Sequence, residues 1–152
     1  MAAARRTKAV ELFWKIHLPL YRWSGGRLGG RVMGMPVLLL DTRGRKSGQR
    51  RTNALTWFSK GADFVVIASF LGEPRDPAWW LNLRASPETT IQVGREHIAV
   101  RAREATGAER EQLWAAALAK APDYAEYQAR TERRIPVVVL ERRPASSKRS
   151  AQ

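Results

Sequence analysis

The sequence predicts an α+β domain, an antiparallel, barrel-like sheet of about six strands with flanking helices. Short apolar runs of β-branched and aromatic residues recur between turn signals, as in Val37-Leu38-Leu39-Leu40 and Phe64-Val65-Val66-Ile67. Helical patterns fall between hairpin-like pairs of such runs and do not alternate strictly with single strands, which excludes a repeated βαβ arrangement. At 152 residues the chain has room for one core and needs neither a disulfide nor a structural metal to hold it.

Residues 7–17 place Val10, Phe13, Trp14 and His17 on one helical face, and Pro19 should end or kink that helix. Gly25, Gly26, Gly29, Gly30 and Gly34 form a loose connector before Pro36 opens the apolar run to Leu40, a buried strand. A turn at Gly44 to Gly48 follows. Residues 51–59 and 62–70 are expected to pair as a hairpin around Lys60-Gly61. Asp76-Pro77 has the chemistry of a helix start, aspartate to cap and proline at the first position, and the helix should run to Ala85 before Ser86-Pro87 stops it. Thr89 to Val93 and His97 to Arg103 read as a second hairpin turned at Gly94-Arg95.

Thr106 and Glu109 have capping-box spacing, and Leu113, Trp114, Ala117 and Leu118 supply the apolar stripe of the helix they would start. Pro122 begins a further helical turn carrying Tyr124 and Tyr127, and Ile135 to Leu140 reads as a closing strand with Pro136 at its start. The expected organisation is a basic amphipathic helix and glycine-rich connector over 1–35, a barrel domain over 36–142 and a disordered basic tail over 143–152.

Twenty-seven Lys and Arg against 14 Asp and Glu leave a net charge of +13, which attracts nucleic acid, anionic lipid or a polyanionic small molecule. Basic residues concentrate in the N-terminal arm, in 43–51 and in the C-terminal tail; only the middle cluster lies between strongly patterned segments. A nucleic-acid surface needs aromatics interleaved with the cations on an exposed face, and Trp57 and Phe58 supply that weakly, so a nucleic-acid partner is not expected. The basic arm with Phe13, Trp14, Tyr21 and Trp23 has the composition of a helix that rests on an anionic leaflet, and equally of one that packs across a barrel mouth.

The absence of cysteine suits a reducing cytoplasm and removes thiolate nucleophiles and cysteine-held metals. His17 and His97 have no carboxylate at metal-ligand spacing, so no metal is expected. There is no G-x-S-x-G elbow and no G-x-G-x-x-G, and Lys46-Ser47 lacks the preceding glycines of a P-loop. Chemistry that needs no protein nucleophile, such as hydride transfer from a bound coenzyme, gains weight from these exclusions.

The stretch Thr42-Arg43-Gly44-Arg45-Lys46-Ser47-Gly48-Gln49-Arg50-Arg51-Thr52-Asn53 combines curved, amide-exposing backbone, a hydroxyl and several cations. It reads as an anion cradle or as a solvated basic turn. Together with Ala78-Trp79-Trp80-Leu81-Asn82-Leu83, Pro122-Asp123-Tyr124-Ala125-Glu126-Tyr127-Gln128 and the terminal Ile135-Pro136-Val137-Val138-Val139 strand, it resembles the deazaflavin-dependent nitroreductase and quinone reductase family over roughly residues 10–141. The resemblance implies a split β-barrel related to the flavin-binding barrels and a coenzyme F420 site, in preference to FMN. It also implies an oxidoreductase that passes hydride from the reduced deazaflavin to a quinone, nitroaromatic or activated enone.

By that resemblance Arg45, Lys46 and Ser47 would hold the coenzyme's phosphate and acidic tail. Arg51, Thr52, Asn53, Ala54, Leu55 and Thr56, with Ile67, Ala68, Ser69 and Phe70, would line its ring. Ala78, Trp79, Trp80, Leu81 and Asn82 would close the site, although at least one of the two tryptophans is expected in the core. Tyr124 and Tyr127 share a helical face and would line the acceptor pocket, Tyr124 touching the coenzyme and orienting or protonating the acceptor; the same spacing also describes a packed aromatic pair. Ala54, Thr56, Phe70 and Ala121 depart from the family pattern, and the Phe70-Leu71-Gly72 stretch has one glycine fewer than usual, so acceptor preference does not transfer. A non-catalytic deazaflavin or flavin carrier would keep the same basic cluster, and the expected assembly is a monomer or homodimer.

Overall fold

The computed structural model describes residues 17–26, 30–32 and 34–144. The amphipathic pattern over 7–16 and the tail beyond Pro144 therefore lie outside the described residues. Helical residues 17–24 (α1) continue through Pro19, which does not terminate them; the helix gives way instead at Gly25 and Gly26, both with positive φ. Among the described residues there are eight strands where about six were expected, the two additions being a short strand in the glycine-rich connector and a division of 51–59: β1 Arg31–Val32, β2 Met35–Arg43, β3 Arg50–Thr56, β4 Phe58–Lys60, β5 Asp63–Ile67, β6 Glu88–Val93, β7 Glu96–Glu104 and β8 Val137–Arg142. Between them lie a 3-10 turn at Phe70–Gly72 and the helices α2 Ala78–Ala85, α3 Gly107–Lys120 and α4 Asp123–Ala129.

Among the described residues every strand pairing is antiparallel, in the order β1-β2-β6-β7-β8-β5-β4, with β3 attached to β2 alone. This is the curled, incompletely closed sheet of a split barrel. The segment 51–59 is not one strand: it breaks at Trp57, and the two pieces have different partners. Arg50–Thr56 pairs with β2 across the basic turn, and only Phe58–Lys60 forms the expected hairpin with β5 around Gly61. Trp57 is where the chain passes from one ladder to the other, its N–H bonded to the Pro36 carbonyl and its ring edge-on to Phe64.

Apolar alternation sets what each face covers. Leu38, Leu40, Phe64, Val66, Ile91, Val100, Val138 and Leu140 fill the barrel interior, where α2 adds Trp79, Trp80 and Leu83. The opposite parity on β5 and β8 (Val65, Ile67, Val137, Val139) is covered by α3 and α4 through Leu113, Ala117 and Tyr124. On β2 the opposite parity, Val37 and Leu39, meets Tyr21 of α1. Being covered on both faces is why these strands read as continuous apolar runs. The Tyr21 hydroxyl donates to the Val37 carbonyl at 2.9 Å and accepts from the Gly94 N–H at 2.8 Å, tying α1 to β2 and to the β6–β7 turn.

Two expected helix starts use different chemistry. Pro77, with no side-chain cap, precedes α2, and the Asp76 carboxylate accepts instead from Arg133 at 2.9 Å. The Thr106–Glu109 capping box does not form; Arg103 and Lys60 take the Glu109 carboxylate, since bonds between ionised partners outcompete a bond to a backbone amide. These cations hold the Glu109 carboxyl down to about 2 from its ordinary 4.5. Because the folded-state value is depressed, its contribution is full above about pH 4.5 and is lost as pH falls toward 2. The pair is partly solvated, so Glu109→Gln is expected to cost about 1 kcal/mol in urea denaturation at pH 7 and nothing at pH 2.

Candidate functional site

The β2–β3 hairpin builds the site because its turn is both tight and charged. Within the turn, the Gly44 N–H donates to the Gln49 carbonyl and the Gly48 N–H to the Gly44 carbonyl, each at 2.8 Å. Gly48 sits at φ 71°, a conformation open to glycine at little cost. Closing the turn this way projects Arg45, Lys46 and Ser47 toward the start of α2.

Asn82 fixes the distance between them. Its side chain is buried, and its Oδ1 accepts from both the backbone N–H and the Nη1 of Arg45, at 3.2 and 3.1 Å. Its Nδ2 donates to the Thr42 hydroxyl at 3.2 Å. One amide therefore latches the basic turn onto the helix, through contacts about 40 residues apart in sequence that no local pattern announces.

Between turn and helix lies a cavity of about 480 Å3 lined by Gly44, Arg45, Lys46, Ser47, Arg51, Thr52, Asn53, Ala78, Trp79 and Asn82. It presents three cations, the Ser47 hydroxyl and two amide side chains, while the Thr52 hydroxyl is taken by Asp41 and Arg22, and no carboxylate borders it. The start of α2, at Ala78 and Trp79, borders the same space without a side-chain cap, so its first-turn amides add positive potential. Arg50, by contrast, is committed to Asp41 on the far face of β3, where Asp41 also accepts from Thr52 at 2.6 Å. The donor set suits a phosphate or a polycarboxylate.

Nine of the residues expected at the site converge here: Arg45, Lys46, Ser47, Arg51, Thr52, Asn53, Ala78, Trp79 and Asn82. Gly44, a member of the anion-cradle stretch, joins them as a turn glycine beside these donors. Trp79 serves both cavity and core, whereas Trp80 is a core residue and Leu81 is half-buried outside the cavity. Leu55 packs into the barrel interior and Ala54 against the α1 cluster, so the two faces of β3 are distinguished by these neighbours.

Thr56 lies on the Ala54 face. Its hydroxyl is 3.2 Å from that of Tyr124, which is buried, tilted against Trp114 and edge-on to Tyr127 at 6.1 Å. Burial pushes the Tyr124 phenol above its ordinary value of 10, and burial does the same to Tyr127. Neither tyrosine borders the basic cavity. The cavity reaches Asn53 in mid-strand and Tyr124 meets Thr56 at the end of β3, three residues or about 10 Å further along at roughly 3.3 Å per residue.

Ile67, Ala68, Ser69 and Phe70 form the end of β5 and the loop after it, and they do not border the cavity either. Phe70 and Leu71 both have positive φ, 45° and 55°, where glycine would be at ease. His17, the first described residue of α1, is buried with its ring 6.3 Å from that of Tyr21, and His97 is an exposed strand residue. Among the described residues no cluster of His, Cys, Asp or Glu could hold a metal.

A family model described as F420H(2)-dependent quinone reductase matches residues 13–142. An F420H(2)-dependent quinone reductase of Mycobacterium tuberculosis (strain H37Rv) is 41% identical over 142 residues, covering 91% of this chain and 95% of its own length. The solved structure of an F420-H2 dependent reductase, FDR-A, aligns at TM-score 0.64 and 38% identity over 70% of this chain and 94% of that one. A second solved structure, described as a domain-swapped dimer, aligns at TM-score 0.66 and 32% identity over 88% of this chain and all of that one.

Proposed function

The chain belongs to the F420H(2)-dependent quinone reductase family, and on that premise we propose that its basic cavity holds the phosphate and acidic tail of coenzyme F420 while the free edge of β3 leads the deazaflavin toward Tyr124. The protein is an oxidoreductase with coenzyme F420 as cofactor. The observation that carries the residue assignment is the cavity itself, with three cations and no carboxylate, latched by Asn82.

When bound, reduced coenzyme supplies the hydride; the protein's task is to hold donor and acceptor in register and keep water out. Arg45, Lys46 and Ser47 take the anionic end, and Arg51 and Asn53 follow it along β3. The unpaired edge of β3, Ala54 to Thr56, and the loop at Ala68 to Phe70 flank the ring. Tyr124 sits at the acceptor end, its phenol protonated at neutral pH and pushed further above its ordinary 10 by burial, available to orient an acceptor oxygen or deliver a proton to it. Quinone is the acceptor class the relatives' description favours, with nitroaromatics and enones as further candidates.

Titration with oxidised coenzyme F420 and with FMN, then addition of reduced coenzyme and menadione, tests this reading. Selective F420 binding with recovery of deazaflavin absorbance is expected. Binding without turnover would favour a carrier, and absence of F420 binding would end the proposal.

A peripheral membrane reading has one specific observation in its favour. Leu20 and Trp23 of α1 are 40% and 82% exposed, beside Arg22. No helix among the described residues is long and apolar enough to cross a membrane. Cytoplasmic protein resting on an anionic leaflet, where lipophilic quinones reside, would use this face. Sedimentation with phosphatidylglycerol vesicles is expected to fall in Trp23→Ser, and equal sedimentation would remove the idea. The domain-swapped relative favours a homodimer over a monomer.

A further inference from the structure

We propose that Arg133 is a positioning residue that clamps the loop after β5 onto the tyrosine-bearing helix α4, so that ring-side backbone and acceptor-side tyrosines move as one body. The proposal rests on the site reading above. Nothing in the catalytic assignment uses Arg133, which falls in a charged, unpatterned stretch between α4 and β8.

The geometry is specific. Arg133 Nη2 donates to the Ser69 carbonyl at 2.8 Å, Nη1 to the Ala68 carbonyl at 3.2 Å and to Asp76 Oδ1 at 2.9 Å, and Nε to the Glu73 carbonyl at 2.9 Å. Its side chain is only 14% exposed. All four acceptors belong to 68–76, the segment that contains Phe70 and Leu71 at positive φ. Strained backbone of this kind persists only where the surroundings over-determine it. A planar guanidinium with donors on three nitrogens can reach four acceptors spread along a curved loop; an ammonium cannot.

The other end of the clamp is α4. Gln128 donates to the Arg133 carbonyl at 2.8 Å and accepts from the Ile135 N–H at 3.0 Å, so helix and arginine are rigidly joined. Gly72 approaches α4 so closely that a Cβ there would lie 2.6 Å from the Tyr127 carbonyl oxygen. Loop and helix thus meet backbone to backbone beside Tyr127, with Arg133 locking the contact. Loss of the lock should loosen the distance between donor and acceptor without touching the basic cavity.

The test uses Arg133→Gln and Arg133→Lys in the full chain, with hydrogen exchange of the coenzyme-free protein read alongside kinetics. In Arg133→Gln the amides of 68–76 are expected to exchange at least about tenfold faster while those of 42–53 are unchanged, with Arg133→Lys intermediate. A misplacement near 1 Å predicts kcat lower by about tenfold to a hundredfold, with Kd for oxidised F420 within about threefold. Unchanged exchange in 68–76, or exchange rising across the whole chain with kcat and Kd lost together, would overturn the proposal. If Arg133→Gln does not fold, Gly72→Ala decides: it pushes the same loop off α4 with Arg133 intact and must give the same split between kcat and Kd. Should the unaltered protein fail to bind F420, the site reading fails, and the exchange data still judge the clamp.

Discussion

Replacing Arg45 and Lys46 together by alanine is expected to weaken coenzyme F420 binding by about a hundredfold to a thousandfold while leaving thermal stability nearly unchanged. Each cation is exposed, so its loss exposes no core, and the backbone N–H of Arg45 still bonds Asn82 after the side chain is gone. A bond between ionised partners contributes about 1.5–3 kcal/mol. Two adjacent cations facing one anion are not independent, so their combined loss should fall below the sum. The effect should appear in Kd and in KM for the reduced coenzyme more than in kcat, because these groups hold the tail in ground and transition states alike. Rising salt should weaken binding to the unaltered protein and matter less in the double variant. Arg50→Ala is the control, since Arg50 is paired with Asp41 and does not border the cavity. Equal Kd values for the double variant and the control, by fluorescence titration, would rule out the cavity as the anion site.

What the sequence made legible was chemistry carried by neighbouring residues. The basic turn is visible because Gly44 to Gly48 are contiguous, and the strands of the core are visible because burial on both faces leaves unbroken apolar runs. The features that escaped depend on competition between distant groups. Glu109 has capping-box spacing, but nothing nearby in sequence reveals that Lys60 will reach it from β4 alongside Arg103. Asp76 precedes a proline in helix-start fashion, yet Arg133 takes its carboxylate from 57 residues away. The break at Trp57 is silent for a similar reason: no glycine or proline interrupts residues 51–59, and only the curvature of the sheet decides that β3 pairs back to β2 while β4 pairs forward to β5. The same limit applies within the site. The resemblance assembled basic turn, tryptophan helix and tyrosine pair into one list, whereas the fold separates the tyrosines from the cavity by the second half of β3. A ligand touching both must run along that strand, which is a stronger constraint than the list contains.

Asn82 offers the sharpest separation of architecture from binding, because two substitutions there should have opposite profiles. Asn82→Ala removes the acceptor for Arg45 and the donor to buried Thr42, and is expected to cost about 1–3 kcal/mol of stability in urea denaturation. The loosened turn should also lose coenzyme affinity. Asn82→Asp is isosteric and keeps an acceptor for Arg45, now charged, and the Thr42 hydroxyl can rotate to donate to it. The turn should therefore stay latched, with a stability loss smaller than that of the alanine variant. Yet the aspartate introduces a carboxylate into a cavity that has none, engages Arg45 as an ion pair and repels the incoming anion. Coenzyme Kd is expected to rise about tenfold to a hundredfold, the consequence of one like charge and one occupied cation at short range. Fluorescence titration beside urea denaturation reads both quantities. If the aspartate variant bound F420 as tightly as the unaltered protein, the anionic end of the coenzyme could not lie against Asn82, and the cavity between turn and helix would be only a structural gap.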